Sequence, residues 1–177
     1  MNKKLKLEEL GRISVDEFKA ASKIPVVVIM EDIRSGNNVG SLFRTSDAFL
    51  IEKIYLTGIT PQPPHRDIQK TALGATESVD WEHRSESLPL LEELKSAGYH
   101  VMAIEQAENT TSLGKWRPVG QKLALFFGNE VKGVSQEVID SCDECLEIPQ
   151  FGTKHSLNVS VCAGIVLWHV NRALQEN

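Results

Sequence analysis

The chain has 177 residues, 41% apolar and 24% charged, and its 19 Lys and Arg against 24 Asp and Glu leave a formal net charge of −5. That composition excludes a disordered or fibrous chain and suits one domain of about 100–200 residues whose core needs no disulfide or metal staple. The acidic balance argues against nucleic-acid binding by overall charge, while leaving room for a local basic surface.

The first residues carry Lys3, Lys4 and Lys6 without an apolar stretch behind them, so no secretory signal is expected. Leu7, Leu10, Val15 and Phe18 then suggest a short amphipathic helical extension over 1–24, one helix or two, with Gly11 as the interruption. From Pro25 the pattern changes. Residues 26–30, Val-Val-Val-Ile-Met, form a continuous β-branched run, the mark of a strand buried on both faces. A helix is expected over 39–50, a strand at 54–56 and a loop at 60–65. A short edge strand is expected at 79–81, a helix over 88–97, then strands at 99–104 and 123–127. A helix over 135–141, a strand at 145–148 and a long helix over 157–174 complete the chain. Strands alternating with helices predict an α/β domain over 25–177, with a mainly parallel sheet and helices on both faces. Ligands of such sheets bind beyond the carboxyl ends of the strands, so chemistry is sought after Met30, Ile104, Phe127 and Ile148. No apolar run reaches the roughly 18 residues of a membrane span.

Three loop segments stand out at those positions. The first is Asn37-Asn38-Val39-Gly40, leading into Arg44-Thr45-Ser46-Asp47-Ala48. Val39, Leu42, Phe43, Ser46, Phe49 and Leu50 share one helical face, and Arg44 lies opposite. Arg44 is then either a solvated arginine or, on a face bordering the crevice, a fork for a phosphate or ribose hydroxyl. The second is Phe127-Gly128-Asn129-Glu130-Val131-Lys132-Gly133-Val134-Ser135, whose glycines permit a tight loop, with Ser135 as an expected N-cap. It is neither a Walker loop nor a dinucleotide fingerprint, which counts against a dinucleotide oxidoreductase. The third runs from Ile148 to Val161 through Ser156-Leu157-Asn158. Ser156 is the expected N-cap, and Asn158 then falls in the first turn of a buried helix, where an amide needs a partner. Cys142, Cys145 and Cys162 are too few for a disulfide framework. Cys142-x-x-Cys145 reads as buried free thiols in a reducing cytoplasm, with no metal expected.

Together the three segments resemble, in order, the three motifs of the SpoU/TrmH family of RNA ribose 2′-O-methyltransferases, and the resemblance covers about residues 25–174. It implies a sheet whose C-terminal part is tucked into a deep trefoil knot. It also implies S-adenosylmethionine as methyl donor, RNA (tRNA or rRNA) as substrate, and a homodimer with each site near the subunit interface. Carried over by position, Asn37 or Asn38, Arg44, Glu130, Ser156 and Asn158 are the family's site residues. Ile104, Gly128, Ile148 and Leu157 fall on the donor side. Arg34, Arg44, Lys70 and Lys154 are the expected RNA-binding set. An RNA-binding module without activity and a knotted methyltransferase acting on a base are the alternatives.

Overall fold

The computed structural model describes residues 2–118 and 122–175. Its first strand, β1 (Ile24–Glu31), contains the apolar run. Val26, Val28 and Met30 enter one hydrophobic cluster, Val27 and Ile29 the other. A strand covered on both sides has no polar face, which is why its sequence shows no alternation. The other strands are β2 (Ile51–Thr57), β3 (Trp81–Arg84), β4 (His100–Ile104), β5 (Thr111–Ser112), β6 (Leu123–Phe127) and β7 (Glu144–Glu147). They form one sheet in the order β3-β2-β1-β6-β4-β7-β5, and every pairing is parallel.

Helices cover both faces, as parallel strands require. They are α1 (Val15–Ala20), α2 (Gly36–Ala48), α3 (Arg66–Ala72), α4 (Ala75–Ser78), α5 (Ser87–Ser96), α6 (Gln136–Ser141) and α7 (Val159–Gln175). Phe18 of α1, Leu42 and Phe43 of α2, Ile68 of α3 and Val166 and Leu167 of α7 pack on one side. Leu90, Leu91 and Leu94 of α5 and Val138 of α6 pack on the other.

Several expectations need correction. The N-terminal segment is a 3-10 turn, Leu7–Leu10, then α1, with Gly11 at φ 58 between them. Phe18 reaches the core, but Leu10 and Val15 are exposed. The edge strand lies two residues later than expected, because the Val79 N–H closes α4 on the Ala75 carbonyl at 3.0 Å. α3, α4 and β5 were not anticipated; at 7, 4 and 2 residues they are too short for a hydrophobic period to declare itself. α2 starts three residues earlier than expected, so Asn37 and Asn38 belong to its first turn.

Candidate active site

Sheet register builds the site. Met30 pairs with Phe127, and Ile104 pairs with both Phe127 and Leu146, so β1, β6, β4 and β7 end level. The segments that follow them meet in one place.

After β1 the chain turns into α2, where the Ser35 hydroxyl accepts the Asn38 N–H at 3.3 Å, an N-cap. After β6, residues 128–135 fold back on themselves. Asn129 and Gly133 exchange both backbone hydrogen bonds, at 3.0 and 2.8 Å. The Asn129 side-chain oxygen accepts from the Val131 and Lys132 N–H groups, and its amide donates to the Asp32 carbonyl at 2.6 Å. Gly128 is required here. A Cβ on it would stand 2.1 Å from the Gly133 carbonyl carbon and the Val134 nitrogen. Gly133 has φ +70, and its Cβ would meet Glu105 Oε2 at 2.1 Å.

Ser135 does not cap α6 through its side chain. Its N–H and hydroxyl both donate to buried Glu31, at 2.9 and 2.8 Å, so that carboxylate anchors the end of the loop instead. Ser135 still occupies the N-cap position of α6, but the expected cap of α7 moves. Asn158, not Ser156, accepts from the Ser160 N–H, the Val161 N–H and the Ser160 hydroxyl, and α7 begins at Val159. Asn158 is therefore an exposed cap and not an amide inside a buried turn.

One hydrogen-bonded chain links the three segments. Asn158 Oδ1 is committed to the α7 donors, so its Nδ2 faces Asn38 Oδ1, at 3.1 Å. The Asn38 oxygen being taken, its Nδ2 donates to Glu130 Oε1 at 3.0 Å. Glu130 also accepts the Arg34 and Ser35 N–H groups, at 2.9 and 3.1 Å. A carboxylate only accepts and a backbone N–H only donates, so both ends fix how the two amides face. Burial pushes the Glu130 carboxyl up, but the donors from Arg34, Asn38, its own N–H and Ser35 outweigh it and hold the group below its usual value.

These loops enclose a cleft of about 470 Å³. Ile104, Gly128, Glu130, Ile148, Ser156, Leu157 and Asn158 line it, together with residues not anticipated: Glu105, Gln106, Lys132, His155 and Cys162. Glu105 follows β4 and accepts the Gln106 N–H at 2.8 Å and the Val134 N–H at 3.0 Å. The Gln106 amide donates to the His155 carbonyl at 2.7 Å, tying the third segment down. A carboxylate directly after a buried strand was the available signal for Glu105.

The remaining expected residues lie elsewhere. Arg44 is exposed and borders an open apolar groove with Phe49, Val161, Ile165 and Trp168, away from the cleft of its own chain. It shares a stripe of α2 with Asn37, about 10 Å along the axis at 1.5 Å per residue. Asn37 is exposed, and its carbonyl accepts from Ser41 and Thr71. Arg34 adjoins the cleft through its N–H to Glu130; Lys70 is exposed on α3, and Lys154 on the third segment. α7 is not buried all round, because Val161, Ile165 and Trp168 are 53%, 41% and 54% exposed. The cysteines are free thiols, and burial pushes Cys142 up to about 12 and Cys162 up to about 11. Among the described residues no group of three or more His, Cys, Asp or Glu is arranged to hold a metal ion, and no helix is long and apolar enough to cross a membrane.

The fold and site define an α/β protein with a cleft at the carboxyl edge of a parallel sheet, closed by three mutually bonded loops. Residues 25–168 match the model of the SpoU rRNA Methylase family, and the chain belongs to that family. A Staphylococcus saprophyticus protein named for the TrmH family of tRNA/rRNA methyltransferases is 29% identical over 158 residues, 89% of this chain. The chain spans 63% of that relative's length. An AdoMet-bound rRNA methyltransferase from Sinorhizobium meliloti shares the fold, with a TM-score of 0.80 at 23% identity over 89% of this chain and 60% of that one. A structure concerned with 2-OH methylation of C/U34 on tRNA superposes with a TM-score of 0.75 at 24% identity, over 86% of this chain and 97% of that one.

Proposed function

We propose that this chain is an S-adenosylmethionine-dependent methyltransferase that modifies a ribose 2′-hydroxyl in structured RNA, tRNA or rRNA. The observation that carries the reading is the Glu130–Asn38–Asn158 chain, which ties one residue from each motif around a single cleft. Family membership supports the reading, as does the shared fold with an AdoMet-bound enzyme and with one methylating tRNA at a 2-OH.

The cleft fits the donor. Its volume of about 470 Å³ lies within the roughly 300–1,000 Å³ of small-molecule sites. Ile104, Ile148 and Leu157 offer apolar contact, and the folded-back backbone at Gly128 and Gly133 offers close approach without side chains. These residues hold the donor, which when bound supplies an electrophilic methyl group on sulfur. No metal is needed for that chemistry. What remains for the protein is to orient the 2′-hydroxyl and help it lose its proton. A guanidinium offers five donors and no acceptor, so Arg44 clamps an RNA phosphate and polarises the 2′-oxygen; it is not the base. Glu130, Ser156 and Asn158 fix loop and substrate geometry, and Asn37 or Asn38 stands at the substrate side. Arg34, Lys70 and Lys154 add positive charge for RNA.

Arg44 lies off the cleft of its own chain, beside the uncovered face of α7. A homodimer formed on that face covers Val161, Ile165 and Trp168 and brings Arg44 to the seam between subunits, where each site is completed. In this reading the C-terminal part forms a deep trefoil knot, residues 1–24 are an extension to a methyltransferase domain over 25–177, and the protein works in the cytoplasm. Calorimetry with S-adenosylmethionine in chelator tests the reading. Saturable binding is expected, and no binding by folded protein at millimolar donor overturns it.

A further inference from the structure

Phe151 is 96% exposed, more than any other large apolar side chain among the described residues. The other aromatic rings are spent elsewhere. Phe43, Phe126, Phe127 and Trp116 are buried, Trp81 packs edge-on against Phe43 at 6.5 Å, and Trp168 lies on the apolar face of α7. A single exposed hydrophobic residue needs no explanation by itself. Phe151 has company that points to a ligand.

Its loop borders the cleft: Gln150 precedes it there, and His155 to Asn158 follow. That loop is held in place by the Gln106 bond to the His155 carbonyl. On the loop after β6, Val131 lines the same cleft and is 75% exposed. So each of two loops at the cleft presents an apolar side chain to solvent. The segment carrying Phe151 is also unusual for this chain in its charge, and the two carboxylates that line the cleft, Glu105 and Glu130, are taken up by backbone and amide donors. Residues 148–175 hold no Asp or Glu, although 24 of the 177 residues are acidic. Lys154 and His155 follow Phe151 on its own loop, and Lys132 lines the cleft from the other loop. An anionic partner with a flat apolar part fits this combination, and an unpaired nucleotide has both: a base with a π-face and a phosphate.

We propose that Phe151 is a stacking platform for an unpaired nucleobase of the RNA, holding the nucleotide presented to the cleft, with Lys154 and Lys132 facing its phosphates. This rests on the reading that the chain methylates RNA. The test uses purified full-length protein, labelled S-adenosylmethionine and bulk RNA from a strain lacking this gene. F151A should raise the KM for RNA by about 5- to 150-fold, the range of one lost base–aromatic stack. F151L should behave like F151A, and F151W should retain wild-type KM. Donor affinity, melting temperature and molecular mass should be unchanged in all three.

Wild-type KM in F151A overturns the proposal. Full function in F151L does too, since it replaces stacking with simple apolar contact. A changed mass assigns Phe151 to an interface between copies, and a lowered melting temperature assigns it to the fold; either overturns it. In each of these cases transfer by the wild type leaves the methyltransferase reading standing. If the wild type transfers no methyl group to RNA, both fall.

Discussion

Gly128→Ala tests the architecture of the cleft at its tightest point. The added Cβ would lie 2.1 Å from the Gly133 carbonyl carbon and the Val134 nitrogen, and 2.4 Å from the Gly133 oxygen. Carbon atoms pack at about 3.5–4.0 Å, so the backbone at 133–134 must move by about 1.5 Å. That backbone is not free to move. It carries the paired Asn129–Gly133 bonds at 3.0 and 2.8 Å and the Val134 N–H bond to Glu105 at 3.0 Å. Overpacking costs about 1–3 kcal/mol, and each hydrogen bond lost about 1 more, so a destabilisation of about 2–4 kcal/mol is expected. For a domain of this size that is a fall in Tm of roughly 5–15 °C. Donor affinity should fall at least about tenfold, one factor of ten being about 1.4 kcal/mol. Gly152→Ala is the control: nothing lies within 4 Å of its Cβ, and a change within about 0.5 kcal/mol is expected. Calorimetric melting and donor titration of both variants decide it. A Gly128→Ala protein with wild-type Tm and wild-type donor affinity would refute the folded-back loop as the wall of the site.

Arg44→Ala should leave Tm and donor affinity unchanged, since Arg44 is exposed and off the cleft, yet slow single-turnover methylation by about 10²–10³-fold; near-wild-type transfer would remove it from the mechanism. Glu130→Gln should be less stable than wild type at neutral pH, and the gap should close on acidification. The carboxyl is held below its ordinary value, so its stabilisation is complete above that value and is lost as pH falls through the depressed one. Denaturant unfolding at stepped pH checks this, and a gap that keeps its neutral-pH size through pH ~3, under the ordinary carboxylate range, counts against it. Light scattering should give twice the 19.7 kDa of one chain for the wild type and the single-chain mass for Trp168→Glu; a wild type that stays single across micromolar concentrations would argue against the homodimer.

The buried strands were legible because burial on both faces leaves an uninterrupted apolar run, as in β1 and β6. α3 and α4 were not, because each is too short to show a period, and their place is set by packing on α2 instead. Gly40 shows this. A Cβ there would meet the Thr71 hydroxyl at 2.1 Å and the Ile68 carbonyl at 2.3 Å, a close approach no local pattern announces. Gly128 and Gly133 were recognised as loop glycines, but what demands them is the loop's own backbone and Glu105. The cap of α7 was misplaced, and Ser135 holds the N-cap position of α6 without capping through its side chain, for a similar reason. Ser156 and Ser135 are both good N-cap types, yet Asn158 has three donors within reach, and Ser135 is claimed by buried Glu31 from β1. Which of two suitable side chains caps a helix depends on partners distant in sequence. The separation of Arg44 from the cleft was equally invisible, since the motif places it only seven residues from Asn37 and helical rise does the rest.

The most direct test of the account is where the methyl group goes. Purified protein, labelled S-adenosylmethionine and bulk RNA from a strain lacking this gene are incubated together, the RNA is digested to nucleosides, and each methylated nucleoside is fragmented in a mass spectrometer. The account predicts the label on the sugar fragment of one nucleoside, from tRNA or rRNA, with the base fragment unlabelled. Label on the base fragment, or no label in RNA at all from protein that binds the donor, would contradict it.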